Sequence, residues 1–416
     1  MNKKIDKYLN TYHDTLSSCS NPKEIQNKFL MNLIKFNVDC EYGRKHNFCN
    51  IKSVEDYKQN VPIIEYSDIE DMLYRQINDN TLHLLSIENI GYAFETSGTT
   101  GRPKIIPTTK NSIQRFDKYT VDYMNGMIID KFGVDPFYKK TINLSTCPPL
   151  ISKNKYHITD ASMMRFLPFW ENTVCIPKEA CYGWDKLDNL YLQSRFALEY
   201  ENPSIFYAVY INTFCSFIDY INNNYKMIIE DIRNGRINNS INMPNEYRNK
   251  YNRILIPNPK RADELEEIMS SGVENVDFSK VWPSLKLFVV SGSGSMKELT
   301  QSLINKHFGN ISTYIRGIIA SEGCLTVPIE TDSFDCIPVL DANYYEFLEY
   351  EGQTDKIFLI SELEVGKKYE MIITNYSGLY RYRTHDVFEI KGIYKKTPKL
   401  EFVARENVIL NIYSEK

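Results

Sequence analysis

Paired cysteines, a membrane-spanning apolar run, an excess of positive charge and metal-spaced histidines are all missing from this sequence. Its nine cysteines, scattered from Cys19 to Cys336, include no C-x-x-C pair and no repeated spacing. An odd, unpatterned set reads as reduced thiols in a cytosol and not as a disulfide framework. No apolar stretch reaches the roughly 20 residues that a spanning helix needs. The opening Met1-Asn2-Lys3-Lys4-Ile5-Asp6 lacks the apolar centre of a secretion signal, so a cytoplasmic protein is expected. The net charge of −4 gives no electrostatic reason to expect a nucleic acid or an anionic membrane as partner. None of the six histidines has metal-ligand spacing, and residue order alone argues for no Ser-His-Asp arrangement. No internal repeat or low-complexity tract is evident. What remains is an ordinary globular composition, 43% hydrophobic and 25% charged, over 416 residues. That length predicts one large lobed domain or two domains.

Apolar spacing sets out the rest. The first ninety residues read as helical, with Phe29, Leu33 and Phe36 three or four apart, a stripe that is usually core packing. Ile90-Gly91-Tyr92-Ala93-Phe94 and Ile105-Ile106-Pro107 predict two strands around a loop. Residues 186–235 carry helix-like stretches, including Phe206 to Ile211 and Phe214 to Ile221. The Asn- and Arg-rich stretch from Asn234 to Arg253 reads as a solvated connector. Leu285 to Val290, Tyr344 to Leu348, Ile357 to Ile360 and Tyr369 to Thr374 predict further strands. The expected class is α/β, with mixed sheets flanked by helices and ligands gathered beyond the strand ends.

The most informative segment runs Phe94-Glu95-Thr96-Ser97-Gly98-Thr99-Thr100-Gly101-Arg102-Pro103-Lys104. Glycines allow the backbone to turn and approach a ligand closely. Hydroxyls and backbone N–H groups then face an anion, and Lys104 adds a point charge. This is a loop for phosphate, although not the Walker loop, whose lysine follows its second glycine directly. A second glycine-bearing turn, Ser291-Gly292-Ser293-Gly294-Ser295-Met296, fails the dinucleotide fingerprint because Lys297 stands where the third glycine belongs. In Ala320-Ser321-Glu322-Gly323, a Glu just past an apolar run is placed to bind magnesium. Taken alone, the same Ser-Glu pair reads as a helix N-terminus.

The phosphate loop resembles that of the adenylate-forming superfamily. Further along, Gly378-Leu379-Tyr380-Arg381-Tyr382-Arg383-Thr384-His385-Asp386-Val387 and Phe402-Val403-Ala404-Arg405-Glu406-Asn407-Val408-Ile409-Leu410 resemble the Gretchen Hagen type acyl acid amido synthetases. Glu41 to His46, Val54 to Tyr57 and Val61-Pro62 have the look of that family's N-terminal region. The resemblance implies an ATP- and magnesium-dependent ligase that adenylates a carboxylic acid and conjugates it to an amine, an amino acid in that family. It assigns Ser97, Gly98, Thr99, Thr100, Gly101 and Lys104 to the ATP phosphates, with Lys104 also catalytic. Gly294 and Ser295 would line the adenylate pocket, Ser321 would lie against the nucleotide, and Glu322 would be catalytic and hold the metal. Asp386 would take the ribose hydroxyls with Arg405 beside it; a structural ion pair between the two, or within Arg381-Tyr382-Arg383, is the alternative. Residues 1–410 would form the adenylation domain, and 411–416 would open a hinge to a small C-terminal lid that the chain does not contain. Transfer to a thiol, or a nucleotide-binding protein without catalysis, are the rival activities.

Three departures from the family pattern stand out. His385 replaces the glycine before the ribose-binding Asp, where a positive φ would cost a histidine about 1 kcal/mol. Ile318 stands where many relatives have an aromatic ring. Phe206 to Ile221, compared with the family's arginine-bearing helix, contains no Arg or Lys. Its aromatics Phe206, Tyr207, Tyr210, Phe214 and Phe217 fit an acyl pocket or a core equally well.

Overall fold

The computed structural model describes residues 2–79, 81–95, 104–145, 151–153, 156–159, 170–181, 186–270, 272, 274, 276–350 and 356–405. Three sheets organise them. A parallel sheet runs in the order Ile142–Asn143, Ile205–Tyr210, Leu287–Ser291, Ser312–Ile315. A seven-stranded antiparallel sheet has Thr397–Arg405, Tyr382–Tyr394 and Lys368–Asn375 at its centre. A mixed sheet pairs Ile90–Glu95 antiparallel with Ile105–Thr109 and parallel with Tyr156–Thr159. The α/β expectation is met, and the strands predicted on either side of the phosphate loop are adjacent partners.

The N-terminal region is helical as expected: Asn2–Ser18, Pro22–Phe36, Glu41–Lys45, Val54–Asn60 and Tyr66–Asn78. Ser53 starts one of these helices with a reciprocal cap. Its hydroxyl accepts from the Asp56 N–H at 3.0 Å, and the Asp56 carboxylate accepts from the Ser53 N–H at 3.0 Å. Phe29 and Leu33 are buried against the antiparallel sheet, and Phe36 packs there partly exposed.

Two readings are corrected. Residues 205–210 are the second strand of the parallel sheet, and the helix begins only at Ile211, running Ile211–Asn234. Alternate side chains of this strand enter different cores: Phe206 and Ala208 face one, Ile205 and Tyr207 the other. A strand buried on both faces is a continuous apolar run, which local spacing does not separate from a buried helix. The Asn- and Arg-rich connector also contains a helix, Asn245–Ile254. Tyr247 and Tyr251, four apart, anchor it to the core, and the Tyr251 hydroxyl donates to Glu179 at 2.7 Å.

The aromatics weighed for an acyl pocket divide accordingly. Phe206 packs edge-on against Phe214, Phe217 and Phe288 at 5.7–5.8 Å between ring centres. All three partners are fully buried. These rings are core. Replacing Phe206 by Ala should therefore cost about 3–5 kcal/mol of stability. Urea unfolding measures this, and a loss well under 1 kcal/mol would take the ring out of the core.

Candidate active site

The phosphate loop Ser97, Gly98, Thr99, Thr100 and Gly101 lies outside the described residues, as do the supposed hinge residues 411–416. The loop's exit is described. Ile105 donates its N–H to the Tyr66 hydroxyl at 3.1 Å, and the Lys104 ammonium sits 5.4 Å from the centre of the Tyr66 ring. A cation over an aromatic face is attracted to it, so Tyr66 holds the lysine end of the loop.

Glu322 is not at a helix start. It occupies the turn of a small hairpin formed by Ile319–Ala320 and Gly323–Cys324, with Ser321 beside it partly exposed. Asn375, from the central antiparallel strand Lys368–Asn375, donates to the Glu322 carbonyl at 2.9 Å and fixes this turn against the sheet. The side chain is almost fully buried. Burial pushes its carboxyl above the usual carboxylate range; Arg405 opposes this, Asp386 adds to it, and Lys104 opposes it. Four of the residues singled out by sequence therefore share one electrostatic neighbourhood.

Asp386 reaches that neighbourhood through a bulge. Strand Tyr382–Tyr394 pairs Arg383 with Ile372 and Val387 with Glu370, so Thr384, His385 and Asp386 together span the position of Met371. Thr384 bridges the bulge, donating to the Met371 carbonyl at 2.8 Å and accepting from the Asp386 N–H at 3.1 Å. Asp386 then faces Arg405 on the next strand and takes a two-pronged ion pair, with Nε and Nη2 at 2.8 and 3.0 Å. The ion pair weighed as an alternative is thus formed, and it lies beside Glu322. Arg381, by contrast, is structural. It is buried in a bidentate pair with Glu346 and donates to the Val61 carbonyl.

His385 has φ of 61°, the strained conformation expected of a residue in a glycine position. Its ring is held in compensation. Nε2 lies 2.7 Å from the Glu65 carboxylate and Nδ1 lies 3.5 Å from Glu370. Arg383 contacts both of these carboxylates. Glu65 and Glu370 were not found by sequence reasoning; Glu65 is 320 residues from its histidine, and no local pattern signals it.

Gly294 also has a positive φ, 63°, and a Cβ there would fall 2.8 Å from the Phe402 ring. It holds its short helical turn, Gly294–Met296, close to the strand that carries Arg405. Ser295 is exposed at this turn. Ile318 packs partly buried against the antiparallel sheet's core.

Comparison with known proteins agrees with this arrangement. Residues 11–312 match the GH3 family N-terminal domain and residues 336–405 match the GH3 family central domain. The chain belongs to the GH3 family. A probable indole-3-acetic acid-amido synthetase, GH3.11 of Oryza sativa subsp. japonica, is 27% identical over 424 residues, covering 95% of this chain and 71% of the relative. Among solved structures, the AtGH3.15 acyl acid amido synthetase in complex with 2,4-DB has a TM-score of 0.81 at 23% identity, covering 94% of this chain and 69% of that one. An open conformation of 2-hydroxyisobutyryl-CoA ligase with 2-HIB-AMP and CoA has a TM-score of 0.50 at 13% identity, covering 91% and 73%. The fold is that of the adenylate-forming enzymes.

Two outcomes follow from this geometry. Because the folded protein raises the Glu322 pKa, the proton it favours contributes stability below the ordinary carboxylate value, and that contribution is lost as pH rises through the raised one. Glu322→Gln should therefore melt higher than the parent near pH ~7, with the gap closing toward pH ~4. A gap independent of pH would contradict the burial argument. His385→Gly should leave ATP affinity within about tenfold, since it relieves backbone strain while Thr384 and Arg405 still hold Asp386. Titration calorimetry with ATP gives the answer.

Proposed function

We propose that this chain is an ATP-dependent acyl acid amido synthetase: it activates a carboxylic acid as acyl-AMP with release of pyrophosphate, then passes the acyl group to an amine, an amino acid. The observation that carries this reading is the convergence of Glu322, Asp386, Arg405 and Lys104 at the exit of the phosphate loop, in a chain of the GH3 family. Carboxylate and ATP are both anions, so bringing them together requires oriented cations and N–H donors.

In this reading Ser97, Gly98, Thr99, Thr100, Gly101 and Lys104 hold the phosphates and the departing pyrophosphate. Asp386 accepts from the ribose hydroxyls. Its bidentate pairing with Arg405 directs it, and leaves Arg405 on the same side for the α-phosphate. Gly294 keeps the turn that includes Ser295 close against the strand bearing Arg405, while Ser321 borders the nucleotide. AMP is a good leaving group, so the second half-reaction depends on orienting the amine more than on a strong base.

Magnesium fits the donor set. Glu322 and Asp386 are hard oxygen donors in a partly enclosed site, and among the described residues no three His, Cys, Asp or Glu side chains form a metal cage. Glu322 would be the ion's protein ligand, with ATP phosphates and water supplying the rest. Bound there, the ion would offset phosphate charge. The eight described cysteines are all free thiols, which supports a reducing, cytoplasmic setting. No helix among the described residues is long and apolar enough to cross a membrane. Residues 1–410 are read as the adenylation domain, acting on small molecules, with neither nucleic acid nor membrane as partner.

ATP–pyrophosphate exchange across a panel of carboxylic acids tests the reading. Exchange should appear with at least one acid, depend on magnesium, and vanish in Glu322→Ala. Asp386→Ala should weaken ATP binding by about 1–3 kcal/mol, as for a lost charge-assisted hydrogen bond. Unchanged affinity would remove Asp386 from the nucleotide site.

A further inference from the structure

Glu65 and Tyr66 are consecutive in the chain, yet their side chains reach the two ends of the proposed nucleotide site. The Glu65 carboxylate lies 2.7 Å from Nε2 of His385, the residue before Asp386. The Tyr66 hydroxyl accepts from the Ile105 N–H at 3.1 Å, and the Lys104 ammonium sits 5.4 Å from the centre of the Tyr66 ring. One dipeptide therefore touches the neighbour of the proposed ribose contact and the exit of the phosphate loop.

The backbone that carries the pair is pinned to the antiparallel sheet. Ile64 donates its N–H to the Arg381 carbonyl and accepts from the Arg383 N–H, each at 3.0 Å, forming a bridge beside Tyr382. The Glu65 N–H donates to the Asp68 carboxylate at 2.8 Å, which caps the start of the helix Tyr66–Asn78. Tyr382, almost fully buried, connects this segment to the charged interior. Burial pushes its hydroxyl up and Glu322 adds to that; Arg405 opposes it, and Glu65 and Tyr66 add to it. All four groups therefore lie near one phenol.

His385 gives Glu65 its leverage. A φ of 61° is uncommon for any residue but glycine, and it persists only where the surroundings hold it. Of the two carboxylates on the imidazole, Glu65 is the nearer, with Glu370 at 3.5 Å from Nδ1. A glycine would need neither, because it adopts positive φ freely.

We propose that Glu65 and Tyr66 are positioning residues for the nucleotide. Glu65, through His385, sets Asp386 for the ribose. Tyr66, through Ile105 and Lys104, sets the loop exit for the β- and γ-phosphates. The assignment rests on the adenylation reading and deepens it: one short segment, tied to the sheet, fixes the spacing between the sugar end and the triphosphate end of the site.

The test compares AMP, which ends at the α-phosphate, with ATP, which reaches both ends, by titration calorimetry. Glu65→Gln should weaken both nucleotides about tenfold. Tyr66→Phe keeps the ring under Lys104 and removes the acceptor for Ile105; it should weaken ATP about threefold to tenfold and leave AMP within about twofold. In a His385→Gly background, Glu65→Gln should change neither affinity by more than about twofold, because the residue it acts through is gone. Melting temperatures without nucleotide report the fold of each variant. Should Glu65→Gln fail to fold alone, adding His385→Gly should restore the fold, and failure there too overturns the Glu65 assignment. A merely structural role would weaken both nucleotides in both variants and would persist beside His385→Gly; that outcome overturns the proposal. Nucleotide binding indifferent to both substitutions removes this assignment and leaves the adenylation reading standing. A parent chain that binds neither nucleotide overturns the adenylation reading and the assignment with it.

Discussion

The three-residue bulge Thr384-His385-Asp386 sets the geometry on which the rest of the site depends. A regular strand would turn Asp386 to whichever face its register dictated, since side chains alternate along a strand. The bulge breaks that alternation, and a positive φ at His385 turns the chain so that Asp386 meets Arg405 in a bidentate pair. Bulges commonly re-aim side chains beside functional sites. Here the strain is held in place by side chains from distant elements. Thr384 bridges the gap to Met371, while Glu65 and Glu370 grip the histidine ring. A histidine in a glycine's place is therefore supported, and it links the helical N-terminal region to the strand that carries the proposed ribose contact.

Charge balance governs the interior of the same region. Two carboxylates, Glu322 and Asp386, share a buried space with Arg405 and are influenced by Lys104. Opposite charges this close favour one another's ionised forms, whereas burial and like charge disfavour them. Among the described residues Asp386 has a direct ion-pair partner and Glu322 does not, so the two carboxylates experience different environments, the condition under which neighbouring acids take different roles. In the proposed chemistry the paired one holds the sugar and the other waits for a cation that arrives with ATP.

What the sequence determined by itself was whatever depends on neighbours in the chain. Helical spacing in the first ninety residues and the strands at Ile90 to Phe94 and Ile105 to Pro107 are local patterns that the backbone adopts locally, and the motifs bearing Glu322, Asp386 and Arg405 are legible as local residue strings. The ordered motifs also identified the GH3 family. The tertiary structure alone decided the rest. Phe206 to Tyr210 forms a strand because it is sandwiched between two other strands and two cores, a burial that no local spacing distinguishes from that of a helix. Glu322 sits in a hairpin turn because Asn375, 53 residues away, holds its carbonyl. His385 is tolerated because Glu65, 320 residues away, accepts its ring. Local sequence fixes backbone propensity, but burial, pairing and charge neutralisation are properties of which distant residues meet, and those meetings exist only in the folded chain.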